Sequence, residues 1–186
     1  MKHPFKKITS GLALLLIVFG LSGCGGESAD AGLKSYDGGT FTINVNPDWQ
    51  ILTQSEFYSE IPKEAVVAFT EAETTDGFYN NVNIVQENLS ADTGSIDFGR
   101  ANINLASRNL TDYTKLDEAQ IDLGGTSALV HIFDARLNPT ENILHFVQLY
   151  TTKNRIGYTV TGAMPVETDQ NTRDQIGAMV TSFRLK

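Results

Sequence analysis

Residues 113–162, YTKLDEAQIDLGGTSALVHIFDARLNPTENILHFVQLYTTKNRIGYTVTG, decide the fold. Four strand-like runs are punctuated by Gly124-Gly125, by Asn138-Pro139-Thr140-Glu141 and by Lys153-Asn154, residues that supply turn geometry. Connections this short join only antiparallel neighbours, so the segment predicts a meander. If the 138–141 loop sets Leu137 opposite Asn142, Val130 meets Leu149 and Ile132 meets Val147. If Lys153-Asn154 is a two-residue turn, Leu149 meets Tyr158 and Val147 meets Val160. Both registers put Val130, Ile132, Val147, Leu149, Tyr158 and Val160 on one face, the agreement that a correct register requires. The other face carries Leu129, Phe133, Phe146 and Tyr150 among His131, Gln148, Thr159 and Thr161. Two partly apolar faces predict an α+β domain in which helices flank an antiparallel sheet, an α/β/α sandwich.

Outward from the meander, Phe41-Thr42-Ile43-Asn44-Val45 alternates as a half-buried strand, and Trp49, beyond the Asn46-Pro47-Asp48 turn, reads as a core plug. Ala65–Ala72 and Phe78–Leu89 are further strand candidates. A helix is expected from Ile96 to Leu110 with Ser95 as its cap and Ile96, Ile103, Leu105, Ala106 and Leu110 as its apolar stripe. Past Pro165, Thr168 or Asp169 caps a second helix whose Ile176, Met179, Val180 and Phe183 repeat at i, i+3, i+4 and i+7.

The chain begins as an export signal: a basic start, an apolar run from Gly11 to Leu21, then Leu21-Ser22-Gly23-Cys24. The tetrapeptide resembles a lipobox, which implies lipid attachment at the Cys24 sulfur and cleavage before it. The 11-residue run would rise only about 16 Å as a helix, half of a roughly 30 Å hydrocarbon core. Residues 25–36, GGESADAGLKSY, have a tether composition, with an r.m.s. span of roughly 20 Å as a flexible coil. The organisation read from the sequence is therefore a signal peptide at 1–23, a lipidated Cys and tether at 24–36, and a domain at 37–186. Acyl chains on Cys24 would hold the domain at the extracytoplasmic face of the cell membrane. Gly25 in place of an Asp points to the outer membrane if the source is Gram-negative. Cys24 is the chain's only cysteine, so no disulfide, thiol nucleophile or cysteine zinc site belongs to the domain.

Charge narrows the function classes. The chain has 14 Lys and Arg against 22 Asp and Glu; the leader holds Lys2, Lys6 and Lys7 and no acid, which leaves 11 against 22. A net charge near −11 argues against nucleic-acid binding and against a polybasic grip on anionic lipid. Neither G-x-G-x-x-G nor G-x-x-x-x-G-K-[ST] occurs, and Gly124-Gly125-Thr126-Ser127-Ala128 lacks the spacing of a serine elbow. No cofactor is implied. His131 and His145 are the domain's histidines, and the register sets them on opposite sides of the sheet, His131 facing Gln148 and His145 facing Asp134. Asp134 and His145 are the candidates for a metal or general-base pair, with a plain cross-strand ion pair as the commoner outcome. Among the carboxylates, Glu71, Glu73 and Asp76 are the tightest group, followed by Asp112, Asp117, Glu118 and Asp122; lacking a calcium-loop pattern, they read as a solvated acidic surface.

Several short motifs in order, Phe41-x-Ile43-x-Val45-x-Pro47-x-Trp49, Asn81-Val82-Asn83-Ile84-Val85, Gly124-Gly125-x-x-Ala128, Leu149-Tyr150 through Arg155-Ile156-Gly157-Tyr158-x-Val160-x-Gly162, and Ser182-Phe183, resemble the PsbP-like superfamily, which includes photosystem II PsbP and DcrB-type bacterial envelope proteins. The likeness runs from about Gly39 to Leu185. It implies an antiparallel sheet between helices and a non-catalytic protein that binds or stabilises another component. The leading expectation is a lipid-anchored binding or assembly module for an envelope protein. A small-ligand or metal-binding lipoprotein that uses a face of His131, Gln148 and Tyr150 is the alternative, and an envelope hydrolase is third.

Overall fold

Four consecutive strands, β6 (Thr111–Asp122), β7 (Ser127–Arg136), β8 (Leu144–Lys153) and β9 (Ile156–Pro165), form the expected meander in a computed structural model that describes residues 32–186 apart from Glu60 and Asp76. The leader, Cys24 and Asp76 lie outside the described residues. Val130 meets Leu149 and Ile132 meets Val147, as the 138–141 loop predicts. The β8–β9 hairpin is corrected: Leu149 pairs with Val160, not Tyr158, because the loop is Asn154-Arg155 and not Lys153-Asn154. Asn154 and Arg155 hold φ of 53° and 61°, the left-handed pair that a type I′ hairpin turn needs. Moving the turn by one residue slides the partners by two, and since side chains alternate with period two the faces are unchanged.

The meander is one side of a seven-stranded antiparallel sheet in the order β3-β4-β5-β9-β8-β7-β6, which adds β3 (Gln50–Leu52), β4 (Ala65–Thr70) and β5 (Asn81–Asn88). A smaller sheet pairs β2 (Phe41–Val45) with β1 (Lys34–Asp37) on one side and β10 (Arg184–Leu185) on the other. Lys34, Ser35 and Tyr36, which composition places in the tether, thus pair with Val45, Asn44 and Ile43.

Each helix takes a different face of the large sheet. The face of Val130, Leu149 and Val160 carries the main core, which Phe41, Ile43 and Val45 of β2 share with Ile176, Met179 and Val180 of α2 (Gln170–Thr181). Each such side chain contributes about 1.5–3 kcal/mol on burial. Asp169 caps α2 by accepting from Thr172 N at 3.1 Å, and Phe183, just past the helix, is fully buried. The opposite face takes α1 (Ser95–Asn109), with Phe98 against Leu129 and Tyr150.

α1 departs from its expected form in two ways. Its cap is Gly94, not Ser95; the Ser95 hydroxyl instead accepts from Thr152 N at 3.0 Å and ties the first turn to β8. Leu105, expected in the stripe, is 55% exposed, while Phe98 and Gly99 are buried. A Cβ on Gly99 would come within 2.8 Å of Leu129 Cδ2, so this glycine lets the helix approach the sheet closely. No helix among the described residues is long and apolar enough to cross a membrane.

Candidate functional site

The Asp134–His145 pair forms as the register requires: the residues oppose one another on β7 and β8, with His145 Nδ1 and Asp134 Oδ1 2.7 Å apart. Among the described residues no cluster of three or more His, Cys, Asp or Glu side chains is close enough to hold a metal ion. The pair belongs to the α2 side of the sheet, where His145 borders a groove.

His131, Gln148 and Tyr150 lie on the α1 side, within a polar row that crosses the sheet. In that row Asn83 of β5 stands opposite Thr161 of β9, Thr161 opposite Gln148 of β8, Gln148 opposite His131 of β7, and His131 opposite Glu118 of β6. His131 is fully buried. Its Nδ1 lies 3.1 Å from the Asp117 carbonyl oxygen and its Nε2 2.7 Å from Tyr113 Oη. A carbonyl only accepts, so Nδ1 carries the proton and Nε2 accepts from the Tyr113 hydroxyl. Burial holds the His131 pKa below its usual value, which keeps the ring neutral. Tyr150 is likewise buried, its hydroxyl donating to Gln148 Oε1, and burial raises its pKa. His131 and Tyr150 are consequently closed into the packing, whereas Gln148 lines a cavity on this face.

The acidic residues stay dispersed. Glu71 is half-buried and accepts from Asn80 Nδ2 at 2.9 Å, and burial raises its pKa, whereas Glu73 is exposed. Asp112, Asp117, Glu118 and Asp122 spread along β6, an edge strand of the large sheet. Lys115 Nζ lies 2.7 Å from Glu118, and Arg136 Nε 2.7 Å from Asp112. Charges and two register irregularities along β6 are devices that blunt a sheet edge.

The groove between α2 and the β7–β8 hairpin has a volume of about 510 Å³. Val130, Ile132 and Val147 form its floor, and Gln170, Arg173, Asp174, Gly177, Ala178 and Thr181 form its helical wall. Those six positions recur at helical spacing, so one face of α2 looks into the groove while Ile176, Met179 and Val180 face the core. Gly177 is the informative member. A glycine inside a helix is about 1 kcal/mol less favourable than alanine, yet a Cβ on Gly177 would meet nothing within 4 Å. Packing inside the described chain therefore does not require this glycine, which borders open space in the groove. Sequence reasoning missed it because the apolar stripe next to it, Ile176, Met179 and Val180, explains the helix alone; the available signal was a glycine on the polar side of that stripe.

The strand order, the two helices and their placement define a class: a mostly antiparallel β-domain with the PsbP-like fold. The similarity to solved structures supports that assignment. The PsbP of the cyanobacterium Synechocystis sp. PCC 6803 (CyanoP) superposes with a TM-score of 0.59 at 14% identity, covering 90% of this chain and 99% of that one. LpqN of Mycobacterium tuberculosis, described as involved in cell envelope biogenesis, gives 0.57 at 14% identity over 83% of this chain and 90% of its own. The Ran-binding protein Mog1p of Saccharomyces cerevisiae gives 0.54 at 13% identity over 82% and 95%. At these identities the likeness is one of fold. No family model and no curated protein matches the sequence.

Proposed function

We propose that this chain is a non-catalytic binding domain, held by acyl chains on Cys24 at the extracytoplasmic face of the cell membrane, that receives an apolar segment of an envelope protein in the groove beside α2. In a Gram-negative source that membrane would be the outer one. The two helices, one against each face of the large sheet, serve as the outer layers of an α/β/α sandwich, and the groove lies where the α2 layer leaves the β7 side of the sheet open. The observation that carries the reading is Gly177, a helix-weakening residue whose missing side chain leaves open space beside an apolar floor. A protein of the same fold, Mog1p, is a Ran-binding protein, and another, LpqN, is involved in cell envelope biogenesis; the first description accords with a binding role and the second with a place in the envelope.

The partner segment is expected to be apolar with basic flanks. The floor of Val130, Ile132 and Val147 offers apolar contact, and a chain whose net charge without the leader is near −11, 11 Lys and Arg against 22 Asp and Glu, steers cationic surfaces toward it. In-cell photo-crosslinking from a probe at Thr181, on the groove wall, tests this. A crosslinked envelope protein that is lost in Gly177→Leu supports the reading, and raising the salt concentration should weaken the association in membrane extracts. Crosslinks unaffected by Gly177→Leu would contradict it.

A further inference from the structure

On the opposite side of the sheet, beneath α1, lies a cavity of about 160 Å³. Its floor is the polar row at Asn83, Thr161 and Gln148, and Phe133 and Phe146 supply apolar wall, with ring centroids 4.9 Å apart and planes 15° from parallel. Leu110, just past α1, closes one side. Among the described residues that line it, none is charged.

Hydrogen bonds within the protein leave two groups here free. Asn83 is 2% exposed; its Nδ2 donates to Asn81 Oδ1 at 3.0 Å, while its Oδ1 has no partner. Thr161, 9% exposed, accepts from Gln148 Nε2 at 3.0 Å, which leaves its hydroxyl proton to give. Asn83 and Thr161 face each other directly across β5 and β9. A buried acceptor without a partner is unusual, and natural proteins rarely tolerate one without a reason. Here a free acceptor and a free donor stand side by side at the floor of an apolar chamber.

We propose that this cavity is a binding site for a small neutral molecule with a ring-sized apolar body and a single hydroxyl, of phenol type. The ligand O–H would donate to Asn83 Oδ1, and its oxygen would accept from the Thr161 hydroxyl. An apolar cavity of about 150 Å³ is large enough for benzene, so the volume sets the size class. The uncharged lining sets the charge, because a buried ion without a counter-charge is strongly disfavoured. This site is on the other face of the sheet from the groove beside α2 and does not depend on it.

The test uses the full chain in phospholipid nanodiscs with 4-fluorophenol as the probe, read by ¹⁹F NMR, and Ala106→Phe as the cavity-filled reference that defines uptake by lipid. Saturable binding of 4-fluorophenol is expected in the unaltered chain. It should weaken at least tenfold in Asn83→Leu and vanish in Ala106→Phe, and fluorobenzene should bind at least tenfold more weakly than 4-fluorophenol. If Ala106→Phe fails to fold, nanodiscs without the protein define uptake by lipid, and Thr161→Val, close in shape to the original, should show the tenfold loss expected of Asn83→Leu. Gly177→Leu should leave probe binding unchanged. Uptake equal to that of the filled reference would overturn the proposal and leave the cavity a site of hydration only. Equal affinity for fluorobenzene would overturn it too, because Asn83 and Thr161 would then contribute nothing.

Discussion

Gly162 of β9 lies so close beneath Ile176 of α2 that a Cβ on it would stand 2.4 Å from Ile176 Cγ2. The helix rests on bare backbone there, which lets Ile176 reach the core. One residue further along α2, Gly177 faces the other way, into open space. Two glycines at one helix–sheet contact therefore answer to different constraints, one to packing and the other to the groove.

Alanine at the two positions should act in opposite directions. Gly162→Ala forces Ile176 or the helix to shift and is expected to destabilise by about 1–3 kcal/mol. Gly177→Ala adds helix propensity without a clash and is expected to stabilise by up to about 1 kcal/mol. Urea denaturation with an unchanged m-value measures both. A loss of stability in Gly177→Ala would mean that the glycine serves internal packing after all.

His131 should make stability fall on acidification. Its folded-state pKa is depressed by burial, so the unfolded chain takes up the proton first. Its contribution is complete above the ordinary histidine value of about 6.5 and declines as pH drops through that value toward the folded one. Protonation at Nε2 would also break the hydrogen bond from Tyr113. Denaturation midpoints between pH 7.5 and 5.5 should fall in the unaltered chain and fall less in His131→Gln. Parallel slopes would contradict the neutral, buried assignment.

Glu71 has the opposite sign. Its folded-state pKa is raised, chiefly by burial, so its favourable contribution is present below the unfolded value of about 4.5 and is lost as pH rises through the folded one. Glu71→Gln, which keeps an oxygen for Asn80 Nδ2, should stabilise the protein at pH 7 and have little effect at pH 4. Equal effects at both pH values would show that burial does not govern this carboxylate.

Cys24→Ser tests the anchor. Loss of the sulfur would remove the proposed point of acylation, and the altered chain should leave the membrane fraction for the soluble one. A single acyl chain gives only marginal binding and a second makes it stable, so intermediate retention would indicate partial acylation. Retention equal to that of the unaltered chain would refute the lipobox assignment.

The meander was legible because its strands alternate and its connections are short. All three hairpin loops are marked by turn residues, and even the one-residue misplacement at Asn154-Arg155 left the faces correct. The Asp134–His145 pairing followed from that register. The strand at Lys34–Asp37 was not legible, since KSYD has no apolar alternation and exists as a strand by pairing with β2. Phe98 and Gly99 were missed because the face of α1 that packs is set by the close approach of Leu129 and Tyr150, a tertiary fact. The groove and the polar row both depend on which residues stand opposite one another across separate elements. His131 and Tyr150 looked like a ligand face in the strand pattern, and only the packing of α1 and the contact with Tyr113 show them closed in.

The occupant proposed for the groove beside α2 is an envelope protein. Native mass spectrometry of the full chain, gently extracted from the cells of its source, decides the matter when the unaltered chain is compared with Gly177→Leu. The expected result is a defined mass adduct of protein size on the unaltered chain and its loss from Gly177→Leu, with the altered chain still folded and in the membrane fraction. The same adduct on both chains, or a bare mass for both, would contradict it.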